Sequence, residues 1–122
     1  VQPSADIDSP AFDLAAKRLG LPEPDSYETQ ATDWASLVAL GIAKAKEATG
    51  TGLRDNVRKI SQGGGTKAYS AVDGLKLLAQ GKEINYEGAS GPCDFTDIGD
   101  IIDCKFRYNK IEAGKPVFLK IA

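Results

Sequence analysis

Apolar residues recur at helical spacing through the first two-thirds of the chain. Ser9 followed by Pro10 is a pairing that opens a helix, and Gly20 is a residue type that ends one. A second, longer helix is predicted over residues 26–48, where a broad apolar stripe follows one side. We expect this stripe to be the buried face of the helix, with Trp34 as a core anchor. Its residues are Ala31, Trp34, Ala35, Val38, Ile42 and Ala45.

The pattern changes from helical to strand-like after Lys82. Before that point, two shorter helices are predicted, one over residues 52–60 and one opening at Ser70, on either side of a glycine-rich loop at 62–67. After it, glycines separate short β-like runs, which predict hairpin arms at 91–95 and 100–108 and a further strand at 117–121. The chain is therefore expected to have an α/β fold. So few strands cannot cover the apolar helix faces, so we expect self-association of this chain or a missing partner fragment.

The composition is typical of a globular domain that binds neither nucleic acid nor membrane. Hydrophobic residues make up 42% of the chain and charged residues 26%, and the formal net charge is −2. An acidic chain is a poor partner for nucleic acid or an anionic membrane. Histidine is absent, which removes the commonest general base and the commonest metal ligand. We therefore expect a binding protein and not an enzyme, with no catalytic residues, no metal and no cofactor.

Two motifs are set aside because their spacing is wrong. Residues 63–67, Gly-Gly-Gly-Thr-Lys, suggest a phosphate loop, but the Walker pattern places its lysine before the threonine and follows a strand. Asp94, Asp97, Asp100 and Asp103 do not have the combined glycine and terminal-glutamate spacing of a calcium-binding EF-hand loop. The first segment is interpreted as a connector and the four aspartates as turn and strand-surface residues.

Cys93 and Cys104 are the only cysteines, and they lie symmetrically about Ile98-Gly99. If these two residues form the turn of a hairpin, the cysteines are directly opposed across its arms. Opposed β-carbons are about 4.5–5.5 Å apart, close enough for a disulfide with local twist. We therefore predict a Cys93–Cys104 disulfide, which would favour an oxidising compartment. The alternative is two unpaired thiols.

Several segments, in the same order along the chain, resemble type 1 periplasmic binding proteins of the leucine/isoleucine/valine-binding group. The most distinctive match is the run Ile84-Asn85-Tyr86-Glu87-Gly88-Ala89-Ser90-Gly91-Pro92, followed by Asp94-Phe95 and Gly99-Asp100. The others are Gln2-Pro3 with Ser9-Pro10, Ser26-Tyr27-Glu28-Thr29-Gln30-Ala31-Thr32-Asp33, Val57-Arg58-Lys59-Ile60, and Gly64-Gly65-Thr66-Lys67.

The resemblance implies a two-lobed α/β fold that closes on its ligand like a hinged clamp. This chain would be only its last third: a partial fold of helices plus a C-terminal β-hairpin region, without the upstream strands. Residues 1–105 would be the C-terminal portion of the N-terminal lobe. Residues 106–122 would pass through the hinge and lie on the C-terminal lobe.

The resemblance also implies a function. The chain would belong to the periplasmic or otherwise extracytoplasmic solute-binding component of an ABC importer, which captures a branched-chain amino acid or a related aliphatic or aromatic carboxylate and delivers it to a permease. Tyr27 matches a family position whose aromatic ring approaches the ligand, and Gln30 lies one helical turn further on. The alternatives are a ligand-sensing domain of the same fold and a stand-alone oligomerising interaction domain.

Overall fold

The computed structural model describes residues 1–122, which form a mixed α/β fold with four helices and two small sheets. The elements along the chain are β1 (Gln2–Pro3), α1 (Pro10–Leu19), α2 (Ser26–Ala45), α3 (Gly50–Ser61), β2 (Thr66–Ala68), α4 (Ala71–Ala79), β3 (Ile84–Tyr86), β4 (Phe106–Glu112) and β5 (Lys115–Ile121). None of the helices combines the length and the apolar character that crossing a membrane requires.

The helix ends follow from local chemistry. The Ser9 side chain caps α1 as predicted, and Gly20 ends it in the left-handed conformation. The Asp25 side chain accepts hydrogen bonds from the Tyr27 and Glu28 amides in the first turn of α2. The Asp25 amide donates to the Glu28 side chain in return, which completes a capping box. α2 ends at Ala45, slightly earlier than expected, because Lys46 takes a left-handed conformation with φ 59°.

The main core lies between α2, α3 and the short parallel sheet. β2 and β3 pair in parallel with α4 as the crossover between them. The largest buried side chains come from α2, α3, β3 and the segment after β3: Leu37, Leu40, Ile60, Ile84, Tyr86 and Cys93. A second, smaller cluster of Ala11, Ala15 and Ala89 holds α1 against the turn that follows β3.

The expected buried face of α2 is wrong, because the helix faces the core with Leu37 and Leu40 set among small and polar residues. Its fully buried positions include Asp33, Leu37, Leu40 and Gly41, whereas the Trp34 side chain is 69% exposed. A β-carbon on Gly41 would lie 2.4 Å from a methyl of the Leu53 side chain, so close helix contact requires glycine there. Hydrogen bonding and close packing therefore set the orientation of α2, and the first half of its apolar stripe, Ala31, Trp34 and Ala35, stays exposed.

The last two strands form a hairpin that stands away from the core. β4 and β5 are antiparallel and joined by Ala113-Gly114, both with positive φ as a two-residue hairpin turn requires. Most of their residues are exposed on both faces. β1 adds to the other edge of β4, where Gln2 pairs with Arg107. The two places where the chain enters and leaves the helical body thus lie side by side, and we call this pairing the neck.

The hairpin predicted at residues 91–108 does not form. Only one isolated bridge, Phe95 with Ile101, lies within that segment, and β4 begins at Phe106. The strand predicted at 117–121 is confirmed as the larger part of β5.

Candidate functional site

A buried carboxylate on α2 organises the region where α1, α2 and β3 meet. Asp33 is 3% exposed, and its oxygens accept four hydrogen bonds. Oδ1 accepts from the Tyr86 hydroxyl at 2.8 Å and from the Ala89 amide at 2.9 Å. Oδ2 accepts from the amide of Ser90 at 2.7 Å and from its hydroxyl at 2.5 Å. Charge-assisted hydrogen bonds of this kind are what make a buried carboxylate tolerable.

The chain after β3 must approach this carboxylate closely. A β-carbon on Gly88 would lie 2.3 Å from Oδ2 of Asp33, so no larger residue fits without displacement. Burial, followed by the negative charge of Asp33, raises the pKa of the Tyr86 hydroxyl well above its usual range. The same two causes raise the pKa of the Cys93 thiol to about 12. These groups therefore stay protonated at neutral pH, as a hydrogen-bond donor and an inert thiol.

Asp33 also lines a cavity of about 380 Å³, which we call the Gln30 cavity. Its walls are mainly apolar, from Trp34, Leu37, Pro92, Cys93, Phe95 and Ile101. Its polar lining includes Gln30 of α2 and Lys105 of the segment before β4. The Lys105 ammonium is engaged by Asp6 at 2.5 Å, and this pairing is the main cause of the raised pKa of Lys105.

A larger cleft of about 500 Å³ separates the helical body from the hairpin, and we call it the neck cleft. Three charged residues line it: Glu23 in the connector between α1 and α2, Asp25 at the start of α2, and Arg107 on β4. The Asp25 carboxylate is engaged by the first amides of α2, whereas Glu23 and Arg107 have no ion-pair partner in the structure. The guanidinium of Arg107 lies 4.8 Å from the centre of the Phe118 ring, a cation–π contact that holds it at the cleft wall. The apolar lining includes Phe12, Ile7, Pro3, Pro22, Pro24 and Ile121.

The structure separates the two predicted ligand-binding residues. Gln30 lines the cavity named after it, whereas Tyr27 is 68% exposed and lines neither that cavity nor the neck cleft. The Tyr27 ring lies in the first turn of α2, directly after Asp25 and Ser26, which do line the neck cleft. Its predicted contact with a ligand therefore stays a prediction.

The predicted disulfide is wrong in this structure: Cys93 and Cys104 are both free, the first buried and the second exposed. Both line the Gln30 cavity, but the register between their segments differs from the expected one. If the register of the Phe95–Ile101 bridge is extended by two residues, Cys93 lies opposite position 103, one residue before Cys104. A slip of one residue sends opposed side chains to different faces, so the thiols do not meet.

Sequence reasoning missed the three charged residues that define the two sites. Asp33 was named only as part of the segment that resembles the binding proteins, and no role was predicted for it. An aspartate inside a long apolar helix is nevertheless a signal of a buried hydrogen-bonded network. Glu23 and Arg107 gave no local signal, because 84 positions separate residues 23 and 107 and only the neck brings them to one cleft. No group of three or more histidine, cysteine or carboxylate side chains is placed to hold a metal ion.

The chain matches no protein-family model, and searches of curated proteins and of solved structures find no significant match.

Proposed function

We propose that this chain belongs to the extracytoplasmic solute-binding component of an ABC importer. It would capture a branched-chain amino acid or a related small carboxylate between two lobes. The proposal takes the sequence resemblance as its starting point. In it, residues 1–105 are part of one lobe, and residues 106–122 cross the hinge into the other. The fold would be the partial type 1 periplasmic binding fold expected from the sequence.

The neck supports the division into lobes. β1 and β4 lie antiparallel and adjacent, with Pro3 opposite Phe106. The helical body lies entirely between these two strands in the chain, and the β4–β5 hairpin extends beyond them with most of its residues exposed. Two paired strands between a compact body and a projecting hairpin are a suitable hinge, since few contacts oppose their bending.

The observation that carries the proposal is the chemistry of the neck cleft. Arg107 and Glu23 are opposite charges without ion-pair partners, set among mainly apolar walls. A guanidinium is suited to a ligand carboxylate, and a carboxylate to a ligand ammonium group. The apolar lining would take an aliphatic or aromatic side chain. An amino-acid zwitterion with an apolar side chain is complementary to all three features.

The test is a thermal-shift and calorimetric screen of the full gene product that contains this chain. Leucine, isoleucine, valine and phenylalanine are compared with 4-methylpentanoate, which lacks the amino group, and with isoamylamine, which lacks the carboxylate. Arg107→Gln should weaken binding of the preferred amino acid by roughly 10- to 100-fold, the usual worth of a charged hydrogen bond. Glu23→Gln should weaken the amino acid but not 4-methylpentanoate.

Arg54→Gln is the matched control, because Arg54 is an exposed arginine on α3 outside the cleft. Its affinity should equal that of the unmodified protein. Tyr27→Ala tests the family position: loss of an apolar contact of about 25 cal/mol per Å² predicts a ~5- to 30-fold loss of affinity. Failure of every amino acid and carboxylate to bind would exclude the proposed function.

The proposed importer function also implies an ABC permease as the partner. A sensor domain of the same fold would bind its ligand in the same way and pass the signal to a receptor. Permease and ATPase genes beside the gene for this chain would support the importer, and a receptor gene in their place would support the sensor. The stand-alone oligomerising domain is favoured by one separate observation, the uncovered stripe of α2.

A further inference from the structure

The apolar stripe of α2 has no cover from the rest of the chain over its first half. We consider the part of this face from Tyr27 to Ile42, that is Tyr27, Ala31, Trp34, Ala35, Val38 and Ile42; Ala45, the last residue of the predicted stripe, lies beyond it. The first four are exposed and the last two half-buried, while the opposite side of the helix faces the core. Tyr27 and Trp34 are both more than two-thirds exposed, at 68% and 69%. Large aromatics exposed together on one helix face mark an interaction surface.

The stripe is self-complementary when it is turned end to end. Its residues follow one another at intervals of four, three, one, three and four positions, the same in both directions. A two-fold axis between Trp34 and Ala35 would therefore place every stripe residue opposite another stripe residue. The pairs are Trp34 with Ala35, Ala31 with Val38, and Tyr27 with Ile42. In the two central pairs a larger side chain meets a small one, which lets two helices interdigitate.

The charges at the ends of α2 favour the same antiparallel arrangement. Asp25 and Glu28 make its beginning acidic. At its end Lys46 is an exposed basic residue, whereas Lys44 is paired with Glu83 at 2.5 Å. Antiparallel helices place the acidic end of one beside the basic end of the other, and their dipoles also attract. A parallel arrangement would place like charges together at both ends.

We infer that α2 docks antiparallel against α2 of a second copy of this chain, with the two-fold axis beside Trp34 and Ala35. This inference does not depend on the proposed ligand function. A 20-residue helix is about 30 Å long. A strip roughly 10 Å wide along it covers about 300 Å² per copy, well below the ~800 Å² typical of stable complexes. The dimer is therefore weak and depends on concentration.

Trp34 is the only tryptophan, so its emission reports directly on the stripe. Sedimentation equilibrium and fluorescence are measured on this chain from about 1 µM to 1 mM, a range that spans weak affinities. The expected result is a monomer–dimer equilibrium in which Trp34 emission shifts to the blue and loses access to iodide as dimer forms. Ala35→Arg, which opposes like charges at the axis, should remain monomeric with unshifted emission. Ala48→Arg, the same change at an exposed site after α2, should dimerise normally.

A pair of substitutions tests the direction of the helices. Ala31→Glu alone should weaken association, and the double variant Ala31→Glu, Val38→Lys should restore it, because the two positions face each other only in the antiparallel dimer. A monomer with constant emission throughout the range would overturn the inference. So would a dimer that Ala35→Arg leaves intact, since another surface would then form it. A full gene product whose Trp34 is already shielded in the dilute monomer would show that a segment of the same polypeptide covers the stripe.

Discussion

Replacing Asp33 by asparagine should destabilise the fold although the two side chains have nearly the same shape. The carboxylate accepts four hydrogen bonds in a buried site, two of them from backbone amides, those of Ala89 and Ser90. Asparagine offers one oxygen and one NH₂ group in the same place. The hydroxyls of Tyr86 and Ser90 can rotate to accept from that NH₂, but a backbone N–H group can only donate. One amide is therefore left facing a donor, whichever way the asparagine is turned.

The cost can be worked from these contacts. A buried amide without an acceptor costs about 1–3 kcal/mol, and the bonds that remain lose the extra ~1 kcal/mol that a charged acceptor gives. We expect Asp33→Asn to lower the free energy of unfolding by about 2–4 kcal/mol. Domains of this kind are typically stable by only ~5–15 kcal/mol, so the change is large.

Urea unfolding followed by circular dichroism at helix wavelengths measures this difference. Asp97→Asn is the control, since Asp97 is exposed and forms no side-chain hydrogen bond, and it should stay within about 0.5 kcal/mol of the unmodified chain. If Asp33→Asn unfolds at the same urea concentration as that control, the network contributes nothing and the argument is refuted.

Three further predictions follow from the same region. Gly88→Ala should cost about 1–3 kcal/mol, because the new methyl group overlaps the buried carboxylate; an unfolding midpoint equal to that of the unmodified chain would contradict this. A thiol reagent at pH 8 should modify Cys104 rapidly and Cys93 only on unfolding, and fast reaction of both or of neither would show the thiols to be placed otherwise. Cys93 and Tyr86 should leave stability unchanged between pH 7 and about pH 9. Above about pH 9 for Cys93, and above about pH 10 for Tyr86, each should lower it by up to ~1.4 kcal/mol per pH unit. Cys93 and Tyr86 keep their protons in the folded state after the unfolded chain, whose thiol titrates near 9.0, has begun to lose them. Denaturant melts at several pH values measure this, and a flat profile to pH 11 would refute it.

Both ends of α1 and the start of α2 were predictable because their causes are local. Ser9, Gly20 and the capping residues at the start of α2 act on amides and carbonyls within a few positions of themselves. Gly114 gave a local signal for the turn before the last strand, since glycine readily takes the positive φ found there. The segment between β3 and β4 carries equally clear turn residues, yet its hairpin was wrong by register, and register depends on partners elsewhere.

Sequence by itself determined which parts of this chain are helical, where α1 begins and ends, and that strands follow the helices. These outcomes depend on backbone hydrogen bonds and caps a few residues apart. Only the tertiary structure decided which side of α2 is buried, because Asp33 is tolerated inside solely through donors more than fifty positions later in the chain. The same holds for the neck cleft, whose charges become neighbours only when β1 pairs with β4. Hydropathy records how well a residue suits an apolar site, but burial is assigned by the whole set of contacts, and here a hydrogen-bonded carboxylate takes the inner face and Trp34 the outer one.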